Sequence, residues 1–150
     1  MDNKAEKIVS KYYNTYGWRT KNGITEDALE QEDLRECAKN YVSKCRQKIL
    51  KYIPKSGETI LDMASGPIQY KEYLEYSKNF KKRYCIDLSK SALEMAKKKI
   101  GDHGVFMNGS FLDLDLEKNF KNMNSKKWIK ILSRCEDTNY VIFVVSLSGK

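Results

Sequence analysis

The sequence has few of the residues that mark metal sites, disulfide frameworks and membrane spans. It contains one histidine, His103, and its four cysteines form no CxxC pair. We therefore predict no metal site, and we expect the cysteines to be buried, reduced structural thiols. No apolar run approaches the roughly 20 residues that span a bilayer. Residues 1–7 also lack the apolar core of a signal peptide, so we expect a cytoplasmic protein that does not contact a membrane.

Positive charge predominates, but it is spread along the chain. Lysine and arginine outnumber aspartate and glutamate by 28 to 20, which gives a net charge of +8. A concentrated basic patch would indicate nucleic-acid binding through counterion release. Here the lysines fall in short, separate groups without interleaved aromatic residues. The charge therefore favours a solvated surface over a nucleic-acid interface, with an RNA-associated enzyme as the less favoured alternative.

The spacing of apolar residues predicts an α/β fold. Residues 34–50 repeat apolar positions at helical steps and precede the breakers Pro54 and Gly57. Short apolar runs predict strands at 59–63, 83–87, 105–107 and 140–145. Helical patterns lie between them at 69–78, at 91–100 and around Trp128. This alternation predicts a Rossmann-like parallel sheet of order 3-2-1-4 with helices on both faces.

Two features follow the first two predicted strands and point to a nucleotide-type ligand. Gly66 lies in a turn of small residues, and Asp87 ends the second strand 21 residues later. Both belong to the carboxyl edge of a parallel sheet, where such folds bind ligands, and an acid at about this separation commonly accepts from ribose hydroxyls. The turn has one glycine instead of the GxGxxG of a dinucleotide loop, which favours an adenosine-type cofactor. A turn that binds nothing, and a helix N-cap role for Asp87, remain as alternatives.

The span from about residue 41 to residue 107 resembles the front half of class I S-adenosylmethionine (SAM)-dependent methyltransferases. The resemblance rests on the lead-in at 54–62, the turn at 64–66, Asp87 and the helix that contains residues 93–96. It implies that the turn contacts the methionine part of SAM, that Asp87 binds the ribose and that Leu88 packs on the adenine. The implied cofactor-binding residues in this part of the chain are Asp62, Ala64, Ser65, Gly66, Asp87, Leu88, Ser110 and Phe111.

The sequence departs from this family in three places, one of which is Ile142 near the position where the fourth motif normally carries an Asp. Ser110 stands where the family commonly has an acid that contacts the adenine amino group, and the sequence ends at Lys150, just past the fourth of seven strands. We therefore expect the strand at 140–145 to leave one apolar edge unpaired. That edge predicts a protein partner, a homodimer, or a truncated version of a longer chain.

The N-terminal part of the chain is predicted to form a cap on the cofactor domain. We assign residues 1–53 to this aromatic and helical cap and residues 54–150 to a SAM-binding Rossmann-like half-domain, within one structural domain. Methyltransferases of this class often use N-terminal segments as lids, so Tyr16 and Trp18 are candidates to contact the cofactor. The alternative is that these aromatic residues only pack the N-terminus onto the domain.

The expected activity is methyl transfer to a small molecule. Because SAM carries its own leaving group, alignment of the acceptor does most of the work and we assign no catalytic residue. The alternative is a non-catalytic SAM-binding subunit that needs a partner chain. The pattern does not identify the acceptor.

Overall fold

The computed structural model describes residues 4–113, 128–134 and 141–147. The helices are α1 (Lys4–Tyr12), α2 (Glu26–Gln31), α3 (Lys39–Gln47), α4 (Lys71–Glu75) and α5 (Lys90–Ile100). The strands are β1 (Thr20–Lys21), β2 (Ile24–Thr25), β3 (Gly57–Met63), β4 (Phe80–Asp87), β5 (Gly104–Asn108), β6 (Trp128–Arg134) and β7 (Val141–Leu147). Short 3₁₀ or π turns lie at Tyr13–Gly17, Glu36–Ala38, Lys48–Lys51, Gly101–His103 and Phe111–Asp113. Within the described ranges, none of the helices has the length and apolar content to cross a membrane.

The main sheet has five strands in the order β5-β4-β3-β7-β6. Its three strands β3, β4 and β5 are parallel, with Leu61 opposite Tyr84 and Ile86 opposite Met107. Parallel neighbours need crossover connections, which are supplied here by the segments containing α4 and α5. This part confirms the predicted α/β architecture with a parallel core.

The other side of the sheet differs from the prediction. β7 lies beside β3 but runs antiparallel to it, and β6 runs antiparallel to β7. The predicted fourth strand thus lies beside β3 as expected but runs in the opposite direction, so among the described residues the parallel order 3-2-1-4 is not confirmed. The helix predicted around Trp128 is wrong because those residues form β6. Only residues 135–140 connect the two strands, too few for a crossover. The prediction of an unpaired edge at 140–145 is also wrong, since β7 is paired on both sides.

Helix α5 shows how local sequence positions the site. The Ser89 hydroxyl accepts a hydrogen bond from the Ala92 N–H at 3.1 Å, and Gly101 ends the helix at a φ of 49°. Ala92, Leu93 and Ala96 form its buried face. The predicted helix at 91–100 is confirmed, and its first turn begins directly after β4, beside the candidate site.

Two buried clusters support the parallel strands. One contains Ile49, Ile60, Tyr76 and Phe80, and the other contains Ile68, Cys85, Leu93 and Ala96. In the first, the segment after α3 packs on β3, and in the second α5 packs on β4. Burial of these side chains holds β3 and β4 against the segments that pack on them.

The cysteines differ in exposure. Cys45 and Cys85 are buried free thiols, as predicted, and burial raises the pKa of Cys85 to about 12. Cys37 is exposed, so the expectation of a buried thiol is wrong there. Its place in a short 3₁₀ turn before α3 explains the difference, because the helical period assumed for residues 34–50 does not extend through it. Cys135 lies outside the described residues.

Candidate functional site

The turn after β3 has an unusual backbone. Ala64, Gly66 and Ile68 adopt φ angles of 57°, 56° and 49°, a left-handed conformation that costs roughly 1–2 kcal/mol for a residue with a Cβ atom. Tertiary contacts hold this geometry, because Ile68 is buried and the Ser65 N–H donates to the Ile86 carbonyl at 3.1 Å. The turn is therefore fixed against the end of β4.

Asp87 connects this turn with α5. Its Oδ2 accepts from the Gly66 N–H and its Oδ1 accepts from the Ser89 N–H, each at 2.8 Å. The pKa of Asp87 is raised, and burial of the carboxyl is the largest cause. The two backbone hydrogen bonds lower this pKa, and the nearby charge of Asp62 raises it further. Each carboxylate oxygen keeps further acceptor capacity. Asp87 thus supports the helix start without being its N-cap, which is Ser89.

Asp62 lies in a buried ion pair that sequence reasoning missed. Arg83 donates from Nε to Asp62 Oδ2 at 3.0 Å, and its Nη2 contacts the same oxygen. Burial lowers the pKa of Arg83, but attraction to Asp62 outweighs it and the net shift is upward. The signal was the arginine at the start of the apolar run predicted as a strand at 83–87, a position where a buried charge needs a partner.

Helix α1 crosses the carboxyl edge of the parallel strands. The Ser10 hydroxyl donates to the Leu88 carbonyl at 3.0 Å, and Asn14 Oδ1 accepts from the Ser91 N–H at 3.1 Å. The cap therefore contacts the loop directly after Asp87.

The loop after β5 belongs to the same edge. The Gly109 N–H donates to the Asp87 carbonyl at 3.0 Å, and the Ser110 hydroxyl donates to Glu6 of α1. Phe111 follows in a short 3₁₀ turn and is half-buried. The structure thus brings Ser110 and Phe111 to the edge that carries the turn, Asp87 and Leu88.

The two aromatic lid candidates lie in different places. Trp18 stacks on Tyr13, with ring centroids 4.8 Å apart, and a Cβ atom at Gly66 would lie 3.6 Å from its Cζ2 and Cη2. Tyr16 is exposed, and its hydroxyl donates to Glu30 of α2 at 3.0 Å. The structure therefore brings Trp18, but not the Tyr16 hydroxyl, to the turn.

A small cavity lies between Trp18, the turn and α4. Trp18, Asp62, Gly66, Gln69, Tyr73 and Arg83 are among its lining residues. Asp87 is not part of this lining, although its carboxylate contacts the Gly66 amide. The cavity therefore borders Gly66 and the Asp62–Arg83 pair and does not include Asp87.

Comparison with solved structures places this arrangement among known folds. Geranyl diphosphate C-methyltransferase from Streptomyces coelicolor A3(2), solved with Mg²⁺, geranyl diphosphate and S-adenosyl-L-homocysteine (SAH), superposes with a TM-score of 0.52 at 13% identity. The match covers 77% of this chain and 51% of that one. The chain has the fold of a SAM-dependent methyltransferase. It spans about half the length of this neighbour.

A second solved structure matches less well. A SAM-dependent methyltransferase from Leishmania major also matches, at a TM-score of 0.48 and 13% identity, over 73% of this chain and 42% of that one. No family model matches the sequence, and no curated protein matches it.

Proposed function

We propose that this chain binds SAM at the carboxyl edge of β3 and β4 and transfers its methyl group to a small-molecule acceptor. The observation that supports this is the position of Asp87. Its half-buried carboxylate ends β4 and lies 2.8 Å from the amide of Gly66 in the strained turn. That juxtaposition matches the carboxylate and close backbone that an adenosine-type cofactor needs.

The residues at this edge fit SAM. The Asp87 oxygens have acceptor capacity left for two ribose hydroxyls, and the turn has no side chain at Gly66, which lets its backbone approach the rest of the molecule closely. SAM, when bound, supplies both the methyl group and its leaving group. The chain then has to hold and orient the cofactor and keep water out, and α1 and Trp18 cover the edge as that role requires.

A small acceptor fits the covered edge better than a macromolecule does. Contacts of Ser10 with Leu88 and of Asn14 with Ser91 hold α1 and the turn after it over the loop after β4. A polymer would need that edge open along its length, whereas a small molecule needs only a gap beside the cap. This argument supports the choice of acceptor class and leaves its identity open.

The proposal is tested by calorimetric titration of the purified chain with SAH and, in parallel, with NAD. We expect micromolar binding of SAH and no binding of NAD, because the one-glycine turn has no cradle for a pyrophosphate. A folded sample that gives no heat with SAH, or that binds NAD equally well, would refute it. Binding of SAM without methylation across a panel of small acceptors would instead indicate the non-catalytic subunit.

The pH dependence of SAH binding is a second prediction. A charged Asp87 accepts ribose hydroxyls better than a neutral one, so the affinity should fall as the pH drops through the pKa of Asp87. Burial raises that pKa, so the loss should begin above the ordinary value of about 4 for aspartate. The raised pKa of Asp87 affects the stability of the fold in the opposite direction. The contribution of Asp87 to stability is complete below its pKa in the unfolded state and is lost as the pH rises through its pKa in the folded state.

Titrations between acidic and neutral pH, on the wild type and on Asp87→Asn, check this prediction. The variant has no carboxylate at position 87 and should show no such step. If both proteins lose affinity in parallel, the titrating group is another residue or the ligand itself.

A further inference from the structure

Trp18 carries a buried donor without an acceptor. Its side chain is 9% exposed, and among the described residues no hydrogen-bond partner contacts its Nε1. Buried N–H groups are rarely left in this state, because an unmade hydrogen bond costs the full desolvation of the donor. Such a donor in the lining of a cavity is therefore a candidate to recognise a ligand.

The N–H lies on the edge of the indole that faces the turn. Cζ2, which approaches the Cβ position of Gly66 to 3.6 Å, is bonded to the same carbon as Nε1. A group that enters between Trp18 and the turn would therefore meet this N–H. The faces of the ring have another role, since one of them is stacked on Tyr13.

The cavity beside Trp18 is small, with room for one functional group and not for a whole amino acid. Asp87 is not among its lining residues, so the cavity is distinct from the proposed ribose position. Arg83 and Asp62 both line it, which brings one positive and one negative charge to the same wall. These two charges pair with each other, which leaves the Trp18 N–H as a donor with free capacity in the lining, and a carboxylate is the strongest acceptor at the amino-acid end of SAM.

We propose that the indole N–H of Trp18 donates to the carboxylate of the cofactor's amino-acid end and so selects for cofactors that carry it. This inference rests on the proposed function, because it assumes that the ribose lies at Asp87. It gives Trp18 a role different from stacking on adenine. Trp18 is then a specificity-determining residue in the cap.

The test compares two ligands that differ only in the amino-acid end. SAH carries it, and 5′-methylthioadenosine has the same thioadenosine without it. We expect Trp18→Phe, which keeps an aromatic ring, to weaken SAH binding about tenfold and to leave 5′-methylthioadenosine binding unchanged. Trp128→Phe removes the chain's other indole N–H, and it should change neither affinity.

The indole N–H resonances of the wild type provide a second readout that does not depend on a variant's stability. The chain has two tryptophans, so the spectrum of Trp128→Phe assigns the signal of Trp18. We expect that signal to move downfield with SAH and to stay in place with 5′-methylthioadenosine.

The outcomes separate this inference from the proposed function. If Trp18→Phe weakens the binding of SAH and of 5′-methylthioadenosine equally, or if the Trp18 signal moves with both ligands, the role of the N–H is overturned. The proposal that the chain binds SAM would still stand. Unchanged SAH binding in Trp18→Phe would overturn the role of the N–H as well. A wild-type chain that binds neither ligand would refute the proposed function along with it.

Discussion

Replacing Asp87 by alanine is expected to weaken SAH binding roughly 100-fold. Each hydrogen bond to the charged carboxylate is worth about 1.5–3 kcal/mol, and about 1.4 kcal/mol corresponds to a factor of ten. Loss of two ribose contacts therefore gives at least two orders of magnitude. Asp87→Asn keeps one carbonyl oxygen and should lose about tenfold. Calorimetric titration of both variants measures the difference.

Asp87 also supports the backbone, so folding must be checked before binding. Alanine leaves the Gly66 and Ser89 N–H groups without their acceptor, at a cost of about 1–3 kcal/mol for each group that stays buried. Thermal unfolding establishes whether the variants are folded at the titration temperature. Asp102→Asn, at an exposed acid before β5, is the matched control and should bind SAH like the wild type. Full affinity in a folded Asp87→Ala would remove this residue from the cofactor site.

The largest effect on stability is expected at Arg83. Arg83→Met leaves the Asp62 carboxylate buried without its partner, and breaking a buried ion pair in this way costs about 3–5 kcal/mol. The side chains of the pair are 3% and 7% exposed, so water cannot replace the lost contact. Urea unfolding of the variant measures the change in the free energy of unfolding.

A double variant distinguishes charge from packing. Arg83→Met combined with Asp62→Leu removes both charges and should recover most of the lost stability, because apolar replacements of buried pairs are often neutral. Arg35→Met breaks an exposed pair with Asp33 and should have no measurable effect. A double variant no more stable than Arg83→Met would mean that the cost comes from lost packing.

The parallel half of the fold was predictable because its signals are local. Apolar runs at 59–63 and 83–87 are bounded by turn residues, and Ser89 and Gly101 mark the ends of α5. The antiparallel half was not predicted, because the apolar residues at 128–132 suit a helix or a strand equally. The length of the connection at 135–140 was the better clue, since it allows a hairpin but no crossover.

At the site, sequence spacing brought Gly66 and Asp87 to one edge, where the structure shows them in contact. The Asp62–Arg83 pair depends on strand register, which aligns Ile60 with Arg83. A shift of one residue would turn the arginine to the other face of the sheet. The sequence does not contain this register in any local pattern, so the counter-ion of Asp62 could be found only in the structure.

The strained turn after β3 affects how tolerance to substitution should be interpreted in this chain. Three of its five residues, Ala64, Gly66 and Ile68, have left-handed backbones, and Ile68 is also buried. Most replacements there would disturb folding before any ligand is involved. In a survey that measures only how much folded protein each variant gives, most substitutions at positions 64–68 would therefore score as harmful. The same result could be mistaken for evidence that these positions bind a ligand. Only Asp87 and Trp18, where variants can be compared on folded protein, would separate recognition from architecture.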